Sequence, residues 1–481
     1  MIAQDTSGGR RRSRESHRLP RFRLGLCTAA VAYAALTAAC GCGGTAYVQR
    51  TRHGNTAGRG PILLSEQDGR AVESAVSAAR DASDPGVRAA AVARAAALYR
   101  DHDIRRARQL AAEAVECLGQ MGRGEPPTPE ALSPDLRRYE VVYNLSKLNG
   151  PLSLKVASTI EASQLREHAF AMIAFHCRDA DPKSATSARQ SITDDTCLLV
   201  ALVGSSTAHG LKIRMSSVRD LSDVHAGLVL ARGIEDLRTR AVFLAFFGAL
   251  ARRLGGPGEW EATIRAELVD TLQEIPDREA RLWALDDCLV LVAGGDAEMT
   301  AELADRAMQD IEAWGIPESE KAFWRARIMA FTDLGSAMEL AQAQPGLLAR
   351  ALILGTILAN LDLAKSDEAA RACETATATV RQIMASDSPT MRQRTRGMLA
   401  EGLLRSIATL RPEEALEIAG DVDQRHGGSA VLPRVLDAVA VAHPELAVAR
   451  AEDIDDPAAR ASIMLRAVET RVGESAWADV L

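Results

Sequence analysis

The chain is 481 residues long and carries 57 basic and 64 acidic residues; 47% of its residues are hydrophobic, yet only 4% are aromatic. Seven arginines and two acids lie before residue 40, which leaves 50 basic and 62 acidic residues beyond it, a net charge of −12 that argues against nonspecific nucleic-acid binding. Alanine supplies much of the apolar fraction, which suits close-packed helices and not sheets, and the length exceeds what one small core can organise.

Residues 10–23 hold the seven arginines, and Leu24 to Ala39 then form an uncharged stretch of small and apolar residues. This is the charged region and apolar region of a secretory signal peptide, residues 1–39. As a helix the apolar stretch would extend only about 24 Å, short of the roughly 30 Å of a hydrocarbon core, so a cleaved signal is favoured over a retained anchor helix. It ends Leu36-Thr37-Ala38-Ala39-Cys40-Gly41-Cys42, which resembles the lipobox of bacterial lipoproteins, where small residues precede a cysteine that becomes the lipidated N-terminus. The resemblance implies export to the cell envelope and membrane anchoring through a lipid on Cys40. Leu36 stands four residues before Cys40 where the family has it three before, which keeps Cys42 as the alternative. Arg10-Arg11-Arg12 is followed by Ser13-Arg14-Glu15, not by the apolar residues of a twin-arginine signal, so the general secretory route is expected. Residues 40–64 are rich in glycine and polar residues and read as a flexible tether.

The folded body is expected to start at Ser65-Glu66-Gln67-Asp68, a capping-box pattern. Beyond it run amphipathic stretches of 10–20 residues with apolar positions three and four apart, and none offers strand alternation. Asp84-Pro85, Ser133-Pro134, Asp181-Pro182, Ser388-Pro389 and Asp456-Pro457 mark helix starts, in which the first residue caps and the proline fits the first turn. About twenty helices are predicted. The glycine- and proline-rich connection 121–133 divides N-terminal helical repeats over 65–120 from a longer helical-repeat array over 134–481.

Internal repetition supports an array. Pro412-Glu413-Glu414-Ala415 and Pro444-Glu445-Leu446-Ala447 open two segments 32 residues apart, a two-helix period. A second element, Ile-x-Asp-x-x-x-Arg, recurs at Ile234/Asp236/Arg240, Ile275/Asp277/Arg281 and Ile454/Asp456/Arg460, with a degraded copy at Ile160/Arg166. Its chemistry reads as structural: the Asp caps the next helix, the Ile packs on the joint and the Arg falls one turn into the helix. Ala107, Ala111 and Ala114, with Ala95 and Leu98, match the small-residue spacing of a helix pair that resembles tetratricopeptide repeats, a HEAT-like class fitting nearly as well. The resemblance implies an irregular α-solenoid of stacked antiparallel helix pairs with an extended concave surface for protein partners.

Phosphate loops, zinc helices, nucleophile elbows and calcium loops are absent from the sequence, and no cofactor or metal is expected. His168 and His176, eight residues apart, would stand about 12 Å apart along a helix, too far for one metal. Cys117, Cys177, Cys197, Cys288 and Cys373 fit no disulfide or metal spacing and read as small buried thiols. Asp286 and Asp287 diverge by about 100° on a helix and read as a solvated face, as do Arg392, Arg394 and Arg396. One regional anomaly remains: Phe243, Phe246, Phe247, Trp260, Trp283, Trp314, Phe323, Trp324 and Phe331 place half of the 18 aromatics within 89 residues. They fill a wide core or form a groove in which Trp260, Trp283, Trp314 and Trp324 anchor a partner. The expectation is therefore a lipid-anchored, non-enzymatic helical scaffold that binds envelope proteins. The alternatives are a helical, α/α-toroid-like envelope enzyme acting on carbohydrate, which would need paired carboxylates in an aromatic-lined cleft, and a purely structural spacer.

Overall fold

The computed structural model describes residues 63–121, 133–203, 221–293, 296–360, 366–386, 393–426 and 431–472. The signal peptide, Cys40, Cys42, most of the tether, most of the 121–133 connection, Ser388-Pro389 and Arg392 lie outside the described residues. Within them the chain forms 22 α-helices and no strand. In order these are α1 (Glu66–Asp81), α2 (Pro85–Leu98), α3 (Ile104–Gln120), α4 (Pro134–Ser146), α5 (Gly150–Ala157) and α6 (Ser163–His176). There follow α7 (Pro182–Gln190), α8 (Asp195–Val203), α9 (Leu221–Gly233), α10 (Leu237–Arg253), α11 (Gly258–Glu274) and α12 (Arg278–Val292). Next come α13 (Ala297–Glu312), α14 (Glu318–Met329), α15 (Leu334–Ala343), α16 (Leu347–Asn360) and α17 (Ser366–Ala385). The last are α18 (Gln393–Ala408), α19 (Pro412–His426), α20 (Val431–Ala442), α21 (Pro444–Ala451) and α22 (Pro457–Arg471).

The helices start where side chains can satisfy the free amides of a first turn. Ser65 Oγ accepts from Asp68 N at 3.1 Å, and Asp84 accepts from Gly86 N at 2.7 Å, opening α1 and α2. Ser133, Asp181 and Asp456 cap α4, α7 and α22 in the same way. Alanine then lets neighbouring helices approach closely. Ala107, Leu110, Ala111 and Ala114 are 0–2% exposed along α3, and Ala95 and Leu98 answer them from α2.

Even-numbered helices form an inner row. α2, α4, α6 and α8 pack in succession, α9 carries the row from α8 to α10, α10 packs on α12, and α14, α16, α18, α20 and α22 continue it. Helices α12 and α14 meet chiefly through large side chains, with Trp283 and Trp324 in an edge-to-face contact at 4.8 Å between centroids. The row then returns to its start: α22 packs against both α1 and α2, so the described array closes on itself. The odd-numbered helices other than α9 lie outside, and arginine–carboxylate pairs join several of them at an offset of 33 residues: Arg80–Glu113, Arg106–Glu73 and Arg265–Glu298.

The joints follow one rule. Asp236 and Asp277 accept at 2.7 Å from Thr239 N and Ala280 N, capping α10 and α12, while Ile234 and Ile275 are 5% exposed beneath them. The arginine of the motif reaches back to the isoleucine carbonyl six residues earlier, Arg240 to Ile234 at 2.8 Å, Arg281 to Ile275 at 2.8 Å and Arg460 to Ile454 at 2.7 Å. It thus supplies a donor to a carbonyl left unsatisfied at a helix C-terminus. Arg88 to Ala82 O and Arg350 to Gln344 O repeat this bond, with isoleucine replaced in both and the capping Asp replaced by Gly346 in the second. In the degraded copy Arg166 still binds Ile160 O at 2.9 Å, but no capping Asp is present, and Asp135 of α4 accepts instead from Glu161 N and Ala162 N. Glu167 repeats that device one joint later, on Thr193 N and Asp194 N.

Candidate functional site

The inner row presents one face toward the middle of the array, and two regions of it carry chemistry. The first lies where the two ends meet. α2 and α22 read Asp84-Pro85-x-x-Arg88-Ala89-x-x-x-x-Arg94 and Asp456-Pro457-x-x-Arg460-Ala461-x-x-x-x-Arg466, a shared pattern that puts Arg94 and Arg466 at equivalent positions ten residues after the cap. With α4, α18 and α20 they enclose a cavity of about 330 Å³. Arg94, Arg137, Arg405, Arg434 and Arg466 line it, against the carboxylates of Glu140, Glu401 and Asp437. Each of these acids has an arginine partner: Arg137–Glu140 at 2.8 Å, Arg434–Glu401 at 2.8 Å and Arg466–Asp437 at 3.4 Å. Arg94 is held from behind by Glu469 at 2.6 Å. Val87, Ala90, Ala91, Ala459 and Ile463 make the remaining wall apolar.

The second region is the aromatic one. Phe243, Phe246 and Phe247 are 0–1% exposed, with Phe246 edge-on to Phe247 at 5.1 Å, and they fill the core under α10. Trp324 is buried; Trp260, Trp283 and Trp314 are half-buried against the core. The structure brings Trp283 and Trp324 together across α12 and α14. It places Trp260 on α11 beside His225 of α9, at 5.8 Å between ring centroids, and Trp314 just beyond the end of α13. Trp283 follows its capping Asp277 by six residues, as Ala90 follows Asp84 and Ser462 follows Asp456; since Ala90 and Ser462 line the cavity, Trp283 shares their inward face.

Asp286 corrects the expectation of a solvated face. It is 4% exposed and forms an ion pair with Arg327 of α14, itself 5% exposed, whose guanidinium lies 5.0 Å from the Trp283 ring centroid and 6.0 Å from that of Phe323. Asp287 pairs with Arg238 of α10 at 2.6 Å, both side chains remaining partly exposed. No spacing within one helix points to Arg327, which lies 41 residues from Asp286. The arginines of the cavity were missed for a related reason, since an Arg-rich composition hides any single one. Aligning the two Asp-Pro caps 372 residues apart would have exposed Arg94 and Arg466 as a pair.

His176 packs edge-to-face on Tyr143 at 4.7 Å and shares a hydrogen bond of 2.5 Å with Ser146 Oγ. The five described cysteines are buried and free, and burial raises their thiols, that of Cys177 to about 11 with Asp181 adding to it. Among the described residues no group of His, Cys, Asp and Glu is arranged to hold a metal ion, and no helix is long and apolar enough to cross a membrane. No family model matches the chain, and comparison with curated proteins and with solved structures finds no match.

Proposed function

We propose that the protein is a lipid-anchored helical-repeat scaffold of the bacterial cell envelope that binds protein partners through the inward face of its inner helices. The observation that carries this reading is the Trp283–Trp324 pair beside the Arg238–Asp287 and Arg327–Asp286 ion pairs. A half-buried aromatic ring, Trp283, backed by the buried Trp324 and flanked by fixed charges, is the composition of a binding hot spot. Residues 40–64 supply the reach between a lipid on Cys40, or alternatively Cys42, and the array.

The test has two arms. Replacing Cys40 and Cys42 with Ser is expected to release the protein from membranes or to block its maturation; continued membrane partition after salt and carbonate washing would remove the lipid anchor from the account. Proteins cross-linked to the wild type in detergent-solubilised membranes should be lost from Trp283→Ala, with helicity and melting of the free protein preserved. Identical capture by both variants would remove Trp283 from the binding face.

The closed circuit of inner helices favours a second reading, a toroid-like envelope enzyme acting on carbohydrate. Against it, Glu140, Glu401 and Asp437 in the cavity are each engaged by an arginine, whereas glycoside hydrolysis uses two carboxylates, one of them protonated. Release of reducing sugar from envelope polysaccharide, abolished by Glu401→Gln, would establish the enzyme.

A further inference from the structure

The seam between α12 and α14 is built in one register. Trp283 meets Trp324, and one turn further on Asp286 pairs with Arg327, each partner standing 41 residues along the chain. One turn toward the helix starts, the same offset sets Glu279 of α12 against Glu320 of α14, since residues four apart share a helical face. This rung holds two acids where the rung beyond the tryptophans holds an acid and a base. An acid suits the first turn of a helix, which accounts for either residue alone but not for two facing each other across a seam.

The basic groups of these two helices are engaged elsewhere: Arg278 and Arg281 with Asp310, Lys321 with Glu312, Arg325 with Glu312 and Glu318, and Arg327 with Asp286. Among the neighbouring helices, α10 sends Arg238 to Asp287 and Arg240 to Ile234 O, and α11 sends Arg265 to Glu298. Arg306 of α13 goes to Glu302, Arg350 of α16 to Gln344 O and Gln382, and α15 brings only an acid, Glu339. The carboxylates of Glu279 and Glu320 have no ion pair or hydrogen bond among the described residues, and Oε2 of the half-buried Glu320 is enclosed. Burial and the charge of Glu279 hold the Glu320 carboxyl above its ordinary value.

We propose that Glu279 and Glu320 form an acid-operated latch across this seam. Ionised, the two carboxylates push the first turns of α12 and α14 apart; when one takes a proton from solvent, it donates a hydrogen bond to the other and the seam tightens. Because the folded value of Glu320 is raised, the repulsion is absent below its ordinary value of 4.5 and complete above the folded value. Rising pH therefore loosens this joint, the reverse of acid unfolding. The latch acts whether or not Trp283 binds a partner.

Glu279→Gln and Glu320→Gln keep the shape of each side chain and remove its charge, so a double-mutant cycle on the full-length protein tests the latch. Melting temperatures at pH 7 are expected to show coupling: either single variant relieves the repulsion, and the double variant gains no more than one of them. At about pH 4 the coupling should vanish, because the wild type then holds the bridging proton. Amide exchange in the first turns of α12 and α14, corrected for the intrinsic rate, should be slower at about pH 4 than at pH 7 in the wild type and independent of this change in Glu320→Gln. Additive effects at pH 7, coupling of equal size at both pH values, or the same exchange pattern in wild type and Glu320→Gln would overturn the proposal.

Discussion

Arg94 and Glu469, 375 residues apart in sequence, meet in two parallel hydrogen bonds of 3.0 and 2.6 Å that join the second helix to the last. The Glu469 side chain is 4% exposed and that of Arg94 16%, so the pair is largely withdrawn from water. Beside it Arg471 reaches Asp68 of α1 at 2.7 Å. Breaking a buried pair from one side strands the other charge, so Glu469→Leu should lower unfolding free energy by about 3–5 kcal/mol, read from urea titration. A loss below about 1 kcal/mol would show the pair to behave as an exposed one.

Gly227 of α9 lies where no side chain fits. A β-carbon there would stand 2.0 Å from Cζ of Phe247, which is fully buried on α10. Gly227→Ala must displace the ring or the helix, and is expected to cost about 1–3 kcal/mol despite the better helix propensity of alanine. Gly69 of α1 has open space at the same test and provides the control, where alanine should be neutral or stabilising. Equal effects at the two sites would contradict the close approach of α9 and α10.

Asp286 and Arg327 call for a double-mutant cycle. Asp286→Leu leaves the Arg327 guanidinium buried between Trp283 and Phe323 without its counter-charge, and about 3–5 kcal/mol of stability should be lost. Asp286→Leu with Arg327→Met removes both charges and should recover most of that loss. Additive losses in the double variant would show that the two residues are not coupled.

Acid should open the joints between α4, α6 and α8 before the rest. Burial works against ionisation of Asp135 and Glu167, but the loop amides they accept, Ala162 and Glu161 N for one, Thr193 and Asp194 N for the other, outweigh it and hold both below their ordinary values of 3.8 and 4.5. Because the folded values are depressed, their contribution is complete above the ordinary values and disappears as pH falls through the folded ones. Amide exchange in 160–162 and 192–194 should therefore accelerate below about pH 4 in the wild type, and already at neutral pH in Asp135→Asn and Glu167→Gln. Exchange that is independent of pH between 3 and 6 in these loops, after correction for the intrinsic rate, would contradict the assignment.

Much of the local structure was legible because its causes are local. The caps at Ser65, Asp84, Asp236, Asp277 and Asp456 follow from side chains that satisfy the nearest free amides, and the alanine spacing of α2 and α3 follows from helical period. The Ile-x-Asp-x-x-x-Arg element gave its cap and its buried isoleucine to sequence reasoning, whereas the bond from Arg to the carbonyl six residues back needed the joint angle that only the packed structure provides. Closure was not legible, since Arg94 and Glu469 share no repeat register. Nor was the cavity, whose arginines come from five helices spread between residues 94 and 466. Of the four tryptophans singled out by composition, Trp283 and Trp324 meet each other, whereas Trp260 and Trp314 belong to the outer row and its connection.

The central claim, that the two ends of the array meet and build the inward cavity between them, is tested most directly by a distance across the joint. Spin labels on cysteines replacing Ser74, exposed on α1, and Asp455, exposed before α22, would report it in a background with Cys27, Cys40 and Cys42 replaced by Ser. The five buried thiols, all raised by burial, label slowly. Two helices of this length in side-by-side contact place the labels within about 40 Å of each other. An open stack of the same helix pairs, each step adding about 8–10 Å, would separate them by on the order of 80–100 Å. A single narrow distribution below about 40 Å is the predicted result, and a broad distribution centred at the longer distance would contradict the account.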